Sequence, residues 1–495
     1  MVVTLGITGH RVCPLHKEHA ASSCKDTQRH EQQGADSNNS VVLQQALLKI
    51  DVLILPVIIV GSLFSMMDRS SMGNAKVSGL EDDLHLRQGD YNIATSLFYP
   101  TYLVFQPLSN WCLKRVGARI WLPLLTLLWG AVICAQAFVT SRGLLFTCRV
   151  LLGIPEAGYN SGALFLISFW YPRRCVSRRV AIFYTGTAIG SLISGPIALG
   201  LTKLNGWITS WHAIFFVEGL VTMCWALVMF VLVPNYPDDA IVLSSAERTA
   251  LSTTLRSEKP EGGRRPINTR RFIRCLFNVP LLLVSLVLFC ANMPINTIML
   301  FGPQVVKDMG FSSSQAQAMQ TLPGFCGLVA IIMANWSTQW YGSHYRAVIA
   351  HSILLVIGST VLLATVNVGA RMFALCLLGF GGFGLLGCGP GWLATNVAAT
   401  VTMGSAGASV LVVCGGAGGI ATSYIYRNQD APKYMLGHGI NLMAGILAII
   451  LALAARWCMG WRNHKMALDP TDISSLSPNE ISELGDQHPD FRYVY

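Results

Sequence analysis

The sequence predicts an all-α membrane protein with about twelve transmembrane helices in two six-helix pseudo-repeat halves. Composition is the first indication, since 52% of the 495 residues are hydrophobic and only 12% are charged. A soluble domain has about twice that charged fraction, so this composition does not suit a water-facing surface. Apolar runs of roughly 20 residues, long enough to cross a bilayer, recur along the chain. Half of these runs precede a polar segment at residues 234–276 and half follow it.

The runs and the polar segments between them predict five regions in chain order. Residues 1–46 are polar and rich in His, Gln and Ser, which predicts a disordered cytosolic tail. An N-terminal six-helix half at 47–233, a cytosolic linker loop at 234–276 and a C-terminal six-helix half at 277–460 follow. Residues 461–495 are expected to form a second cytosolic tail. The predicted spans lie near residues 50–73, 92–113, 120–139, 143–170, 179–202, 211–233, 277–299, 313–334, 347–367, 371–394, 404–426 and 437–458.

Basic residues cluster in alternate loops between the predicted spans. Lys114–Arg119 follows the second span, Arg173–Arg179 follows the fourth, and a third basic run occupies 264–274. By the positive-inside rule, this alternation places these loops and both termini in the cytosol, and we expect the plasma membrane as the host bilayer. The net charge of +10 therefore requires no nucleic-acid partner. A patch for anionic lipid headgroups is the less favoured interpretation of the third run.

The cysteines and loops show no pattern typical of a cofactor, metal or catalytic site. Most of the 14 cysteines fall singly inside predicted spans without CxxC spacing, so we expect buried thiols and not disulfides or metal ligands. The loops contain no histidine cluster, metal-ligand spacing or Ser/His/Asp arrangement. We expect no cofactor, no metal and no enzymatic activity, and we expect a monomer.

Charged residues inside the predicted spans are the candidate functional residues. The first apolar run, residues 52–67, is too short to cross alone, so its helix must continue through Asp68 and Arg69. Arg149 and Glu156 are seven residues apart, about two helical turns, and share one face. A charge inside a span costs several kcal/mol unless it faces a polar cavity or a partner, so these side chains should point inward. The six C-terminal spans contain no acidic residue.

Structural alternatives exist for each of these residues. Asp68 and Arg69 would then form an interfacial pair at a helix end. Arg149 and Glu156 would form an interhelical tie, because a buried arginine needs a carboxylate. Glu218, a further acid in the sixth span, has no nearby partner in sequence, which favours a structural role.

Several ordered motifs resemble one transporter family. They include "DRSSMGNAKVSGLEDDL" at 68–84, "RVLLGIPEAG" at 149–158 and "FFVEGL" at 215–220. The sequence resembles the fungal allantoate and vitamin-precursor permeases of the anion:cation symporter family, within the major facilitator superfamily. The resemblance extends over about residues 45–495. Further matching motifs are "LSNWCLKRVGARIWL" at 108–122, "WLATN" at 392–396, "DAPKYMLGHG" at 430–439 and "LGDQHPDFRY" at 484–493.

The resemblance implies the major facilitator fold and proton-coupled movement of a small organic anion, such as a carboxylic vitamin precursor, a ureide or a sugar acid. It implies that Asp68 and Glu156 carry the coupling protons. Arg69 would bind the substrate carboxylate, and Arg149 would pair with Glu156. Asn396 would hydrogen-bond the substrate from the other half, although by default it is a satisfied core asparagine.

Departures from the family pattern leave the substrate and the direction of transport open. Gln106 stands where the family has a glutamate, and Ser71 stands where it has an asparagine. Thr402-Met403 replaces a Lys-Arg pair, and Tyr159–Gly162 replaces a Phe-Pro-Gly segment. Three functions remain: a proton-coupled importer of an organic anion, a specialised-metabolite carrier or efflux protein, and a sensor that binds without transport. Retention of all four charges disfavours the sensor, which needs no proton carrier.

Overall fold

The computed structural model describes residues 15–203, 210–234, 242–258, 269–340, 342–397, 401–469, 484–489 and 491–495. All regular structure within these residues is helical. Twelve long helices, one for each predicted span, are labelled here in chain order: α1 Leu15–Ala75, α2 Asp90–Val116, α3 Ala118–Gln136, α4 Arg142–Trp170, α5 Arg173–Thr202, α6 Trp211–Leu232, α7 Val279–Asn296, α8 Thr321–Trp340, α9 His344–Ala364, α10 Val368–Val397, α11 Val401–Ile425 and α12 Met435–Leu468.

Eleven helices of the described residues are long and apolar enough to cross a membrane. The remaining expected span is α2, which is 27 residues long but carries more polar side chains. Several of these polar side chains are buried, among them Asn92, Thr95 and Ser96. They lie inside the protein and not against lipid, so α2 is less apolar than a lipid-facing helix. The predicted all-helical fold class is confirmed.

The ends of the helices differ from the predicted boundaries. The first helix begins at Leu15, so the segment expected to be a disordered tail is largely helical. The last residues of this segment are packed against other helices, since Leu43 and Ala46 are buried. In addition, α1 contacts a linker helix at Ser245–Glu258. Residues 1–14 lie outside the described residues. At the other end, α12 continues to Leu468, past the predicted boundary at 460.

Close approach of α5 to α1 depends on two glycines. A Cβ atom at Gly186 would lie 2.4 Å from the carbonyl oxygen of Ile59, and one at Gly190 would lie 2.5 Å from that of Leu63. Any larger side chain would push the two helices apart. Small residues at such spacing let helix backbones meet in a membrane, where helix association depends on packing.

The two halves are joined across one face of the bundle, here called the loop face because it carries the 76–89 connection between α1 and α2. Lys76 Nζ donates to Asn428 Oδ1 at 2.8 Å, and Tyr91 Oη donates to the Leu300 carbonyl at 2.8 Å. Asn92 Nδ2 donates to the carbonyl oxygens of Ser423 at 2.6 Å and Tyr426 at 2.9 Å. The loop face is therefore closed. The opposite face, the terminal face, carries both terminal segments and the linker.

Candidate functional site

A buried ion pair joins α1 and α4 in the middle of the N-terminal half. Glu156 is fully buried. Its Oε1 atom accepts hydrogen bonds from Ser65 Oγ at 2.6 Å and from Arg69 Nε at 2.8 Å. Arg69 Nη2 lies 2.8 Å from the same oxygen, and the arginine side chain keeps 17% of its surface exposed. Thus one carboxylate oxygen holds the guanidinium, and Arg69 remains partly accessible.

Helix α2 forms the wall beside Arg69. The guanidinium carbon lies 5.0 Å from the centre of the Phe98 ring and 5.2 Å from that of Tyr102. This proximity requires Gly153 on α4, where a Cβ atom would lie 2.4 Å from the Phe98 carbonyl oxygen. Aromatic faces stabilise a cation without neutralising it. The rings therefore leave the charge of Arg69 to be balanced by a carboxylate, here that of Glu156.

Arg149 does not contact Glu156. The two residues are separated by about 10 Å along α4, since seven residues rise 1.5 Å each. Arg149 is 4% exposed, and its guanidinium carbon lies 5.8 Å from the centre of the Phe215 ring. Its Nε and Nη2 atoms are buried and have no hydrogen-bond partner in the protein. The predicted Arg149–Glu156 pairing is therefore not formed. Glu156 pairs with Arg69 instead, because Arg69 on α1 faces Glu156 on α4.

Asp68 lies on α1, directed at α3. It is 1% exposed, and its Oδ2 atom accepts a hydrogen bond from Trp129 Nε1 at 2.5 Å. Its Oδ1 atom is buried without a partner, as is Glu156 Oε2. Because α1 continues without a break past both residues, Asp68 and Arg69 are not a helix-end pair at an interface. The structure thus contradicts the interfacial alternative.

A third acid, Glu218, meets α1 one turn beyond Asp68. It is 3% exposed, and its Oε2 atom contacts the hydroxyl of Ser71. The same hydroxyl lies 2.9 Å from the Met67 carbonyl oxygen. A hydroxyl has only one proton to donate, so both contacts are satisfied when Glu218 is neutral and donates to Ser71. Ser71 is one of the departures from the family pattern, and the sequence predicted no partner for Glu218.

Gln106, another departure, lies on α2 and is fully buried. Neither Oε1 nor Nε2 of its amide has a hydrogen-bond partner in the protein. Buried amides are nearly always paired, so this unpaired one is a candidate for contact with a bound molecule or water. Thr402, a third departure, has a side chain outside the described part of the chain.

Asn396 contacts the C-terminal segment and not the charged residues. Its Nδ2 atom donates to the carbonyl oxygens of Trp392 at 3.0 Å and Val494 at 2.9 Å. Its Oδ1 atom accepts from the Val494 amide at 2.9 Å. The amide is therefore fully used in this conformation, and the predicted substrate contact of Asn396 is not part of the site that the charges form.

Four residues of the site were missed in the sequence: Ser65, Trp129, and the aromatic pair Phe98 and Tyr102. Ser65 lies four residues before Arg69, which places both on one face of α1, so its spacing was a usable signal. Trp129 and the aromatic pair come from other helices. Nothing in their local sequence indicates which charge they contact.

Comparisons with known proteins agree on one family. A family model described as the Major Facilitator Superfamily matches residues 58–423. An MFS-type transporter of Penicillium expansum, cnsO, is 26% identical over 475 residues, covering 91% of this chain and 90% of that protein. A putative tartrate transporter of Agrobacterium vitis is 26% identical over 416 residues, covering 83% of this chain and 94% of the relative. Among solved structures, the proton:xylose symporter XylE has a TM-score of 0.63 at 14% identity, covering 81% of this chain and 95% of its own, which shows a shared fold.

Proposed function

This chain belongs to the major facilitator superfamily, and we propose that it carries a small organic anion across the membrane together with protons. Its relatives are transporters, so it is a multi-pass membrane transporter and not an enzyme. The observation that carries the proposal is the buried Arg69–Glu156 pair, in which the arginine keeps 17% of its side chain exposed. In this pair a cation is held at a titratable acid and remains within reach of a ligand.

Arg69 anchors the substrate carboxylate in this proposal. Arginine keeps its charge and offers a planar fork that matches a carboxylate. The Arg69 fork is only partly used, because both contacting nitrogens meet the single Oε1 atom of Glu156. An arriving carboxylate competes with Glu156 for the same donors.

Protonation of Glu156 decides that competition. The neutral acid loses its charge attraction for Arg69, so the guanidinium turns to the substrate anion. When the substrate leaves, the guanidinium returns and favours the ionised carboxylate, which releases the proton. Substrate binding and proton binding at Glu156 therefore favour one another, as symport requires.

Asp68 and Arg149 complete the proposed site. The unpaired Nε and Nη2 atoms of Arg149 and the unpaired Oδ1 atom of Asp68 are buried, where unpaired polar atoms are costly. We assign Arg149 to a second anionic group of the substrate and Asp68 to a second proton. Asn396 is left out because its amide is occupied by Val494.

A dicarboxylate is the first substrate class to test. Two buried arginines fit two carboxylates, and one relative is named a putative tartrate transporter. The basic loops support a cytosolic terminal face, and we propose the plasma membrane as the host membrane. With the loop face closed, substrate would exchange with the cytosol in this conformation.

The test is uptake of radiolabelled tartrate, followed by other mono- and dicarboxylates, into proteoliposomes with an imposed pH gradient. We expect accumulation that collapses on addition of a protonophore. Uptake that is indifferent to both the gradient and the protonophore would contradict proton coupling. Transport restricted to uncharged compounds would contradict the anion site.

A further inference from the structure

The last residues of the chain lie docked on the terminal face of the C-terminal half. In residues 491–495 buried and exposed side chains alternate at first: Phe491 is 6% exposed and Tyr493 is 3% exposed, whereas Arg492 is exposed and Val494 is 41% exposed. The segment therefore buries every second side chain, Phe491 and Tyr493, against the helix ends.

Two asparagines on different helices bind the main chain of this segment. Asn463 on α12 accepts from the Tyr493 amide at 2.9 Å and donates to the Tyr493 carbonyl at 2.8 Å. Asn396 on α10 does the same for Val494, with both contacts at 2.9 Å. Trp392 Nε1 adds a donor to the Val494 carbonyl at 2.8 Å. Two consecutive residues thus have both main-chain groups paired by side-chain amides.

A polar cluster fixes the remaining side of the segment. Tyr493 Oη donates to Asp486 Oδ2 at 2.6 Å. The same carboxylate oxygen accepts from Asn278 Nδ2 at 2.8 Å and lies 3.4 Å from Arg462 Nη1. Burial, together with the nearby Asp486 charge, raises the pKa of Tyr493, so its hydroxyl stays protonated as a donor. Asn278 precedes α7, so the cluster joins α7 to α12 through the tail.

This arrangement shares two features with peptide recognition, although the described residues contain no sheet edge that the segment could extend. Main-chain hydrogen bonds supply affinity, and pockets for alternate side chains supply specificity. Here the main-chain partners are asparagine side chains, and the pocketed residues are Phe491 and Tyr493. The contacts reach α7, α10 and α12, all within the C-terminal half.

We propose that the terminal face of the C-terminal half is a peptide-binding site whose ligand is the chain's own C-terminal segment, contacted through the described residues 484–489 and 491–495. The docked tail joins the terminal ends of α7, α10 and α12 into one rigid unit. Asn396 and Asn463 are the recognition residues of this site. The proposal is independent of the transported substrate.

Hydrogen–deuterium exchange of the full-length protein tests the docking. The amides of Tyr493 and Val494 should exchange slowly, because each is bonded to an asparagine oxygen. Asn396→Ala removes the two hydrogen bonds between Asn396 and the Val494 main chain and leaves the Trp392 donor in place. We expect these amides to exchange at least about tenfold faster in this variant, as loss of two hydrogen bonds implies. Deuterium uptake should also rise near Asn278 and Asn463, at the terminal-face ends of α7 and α12. Val494→Ala is the matched control, since only the main chain of Val494 is used, and should exchange like the wild type.

A second measurement supplies the peptide separately. A fluorescein-labelled peptide of residues 484–495 should bind saturably to the protein truncated after residue 483, measured by fluorescence anisotropy. Peptide with Tyr493→Ala should bind about tenfold or more weakly, and peptide with Val494→Ala should bind like the native sequence. Rapid amide exchange of residues 493–494 in the full-length protein would overturn the proposal. Exchange of these amides at the wild-type rate in Asn396→Ala would also overturn it. A folded truncated protein that ignores the peptide would do the same.

Discussion

The two halves of this transporter contain different chemistry on a similar helical frame. In the N-terminal half, Asp68, Arg69, Arg149, Glu156 and Glu218 are buried or nearly so within helices. In the C-terminal half the buried polar groups of the spans are mostly neutral, as in the cluster of Tyr426, His438, Asn441 and Thr297. Asn441 Nδ2 donates to Tyr426 Oη and to Thr297 Oγ1, both at 3.0 Å.

In the proposed mechanism, this difference separates the charged binding site of the N-terminal half from a mostly neutral C-terminal half. Charges that exchange partners need a fixed frame, because each unpaired charge is costly in a poorly hydrated site. Because these charges all lie on α1, α4 and α6 of one half, a movement of the halves relative to one another would leave the distances between them unchanged. In the proposed transport cycle, the mostly neutral C-terminal half approaches or leaves the site with little change in the pairing of buried charges.

Among the substitutions that test this difference between the halves, replacement of Arg69 should have the largest effect. We expect Arg69→Ala to lower apparent substrate affinity by about 2–5 kcal/mol, roughly 30-fold to several thousand-fold, because it removes the charged partner of the anion. Arg69→Lys should be less impaired, since it keeps the charge and loses the fork. Concentration-dependent tartrate uptake at matched protein levels is the measurement.

Arg371 in the C-terminal half is the matched control for that experiment. It is 3% exposed, and its Nη2 atom donates to the Pro432 carbonyl at 2.8 Å. We expect Arg371→Ala to reduce the amount of folded protein and to leave apparent affinity unchanged. Wild-type affinity in Arg69→Ala, or a large affinity loss in Arg371→Ala, would mean that the charges of the N-terminal half are not the substrate site.

Glu156→Gln should uncouple transport from the proton gradient. A pH difference of one unit supplies about 1.4 kcal/mol per proton, or about tenfold in accumulation. The amide cannot ionise, so we expect the accumulation that depends on Glu156 to disappear while exchange of internal for external substrate continues. Proteoliposomes with the membrane potential clamped near zero separate the two readouts. Unchanged pH-driven accumulation would make Glu156 a structural partner of Arg69.

Glu218→Gln should have a much smaller effect, within about twofold in transport rate. If Glu218 is held neutral and donates to Ser71, an amide N–H replaces the carboxyl proton with little loss. The pH profile of transport should keep its shape. A shifted profile would show that Glu218 exchanges protons during transport, and the charged site would then extend to α6.

The smallest effect is expected at the contact between the linker helix and α1. Lys49 Nζ donates to Glu247 Oε2 at 2.9 Å, and this hydrogen bond, with another from the Ser244 amide, lowers the pKa of Glu247. A lowered pKa stabilises the folded state above the unfolded value near 4.3, and that stability is lost as the pH falls through the folded pKa.

Lys49 is 47% exposed, so the contribution should be at most about 1 kcal/mol. We expect Glu247→Gln to lower the Tm slightly at pH 7 and to leave it unchanged once the pH is below the folded pKa. The measurement is thermal unfolding of the purified protein at both pH values. An equal decrease in Tm at both pH values would indicate that Glu247 stabilises the protein through packing and not through its charge.

Composition and hydropathy were sufficient to predict the fold class and the helices that carry the charges. Bilayer thickness sets a length of apolar chain, so the prediction of about twelve spans follows from composition and run length, and eleven of the described helices meet both conditions. The cost of charge in a membrane also directs attention to Asp68, Arg69, Arg149 and Glu156 without any structure.

Which charges meet depends on the packing of the helices and could not be predicted from the sequence. Arg149 and Glu156 are close in sequence, yet helical rise separates them by about 10 Å. Glu156 forms its ion pair with Arg69 on another helix. Asn396 resembled a substrate contact, and its partner is a residue 98 positions away in the tail. Such pairings depend on how helices approach and rotate against each other. Side chains distributed over the whole length of the chain decide those contacts, and no local pattern encodes them.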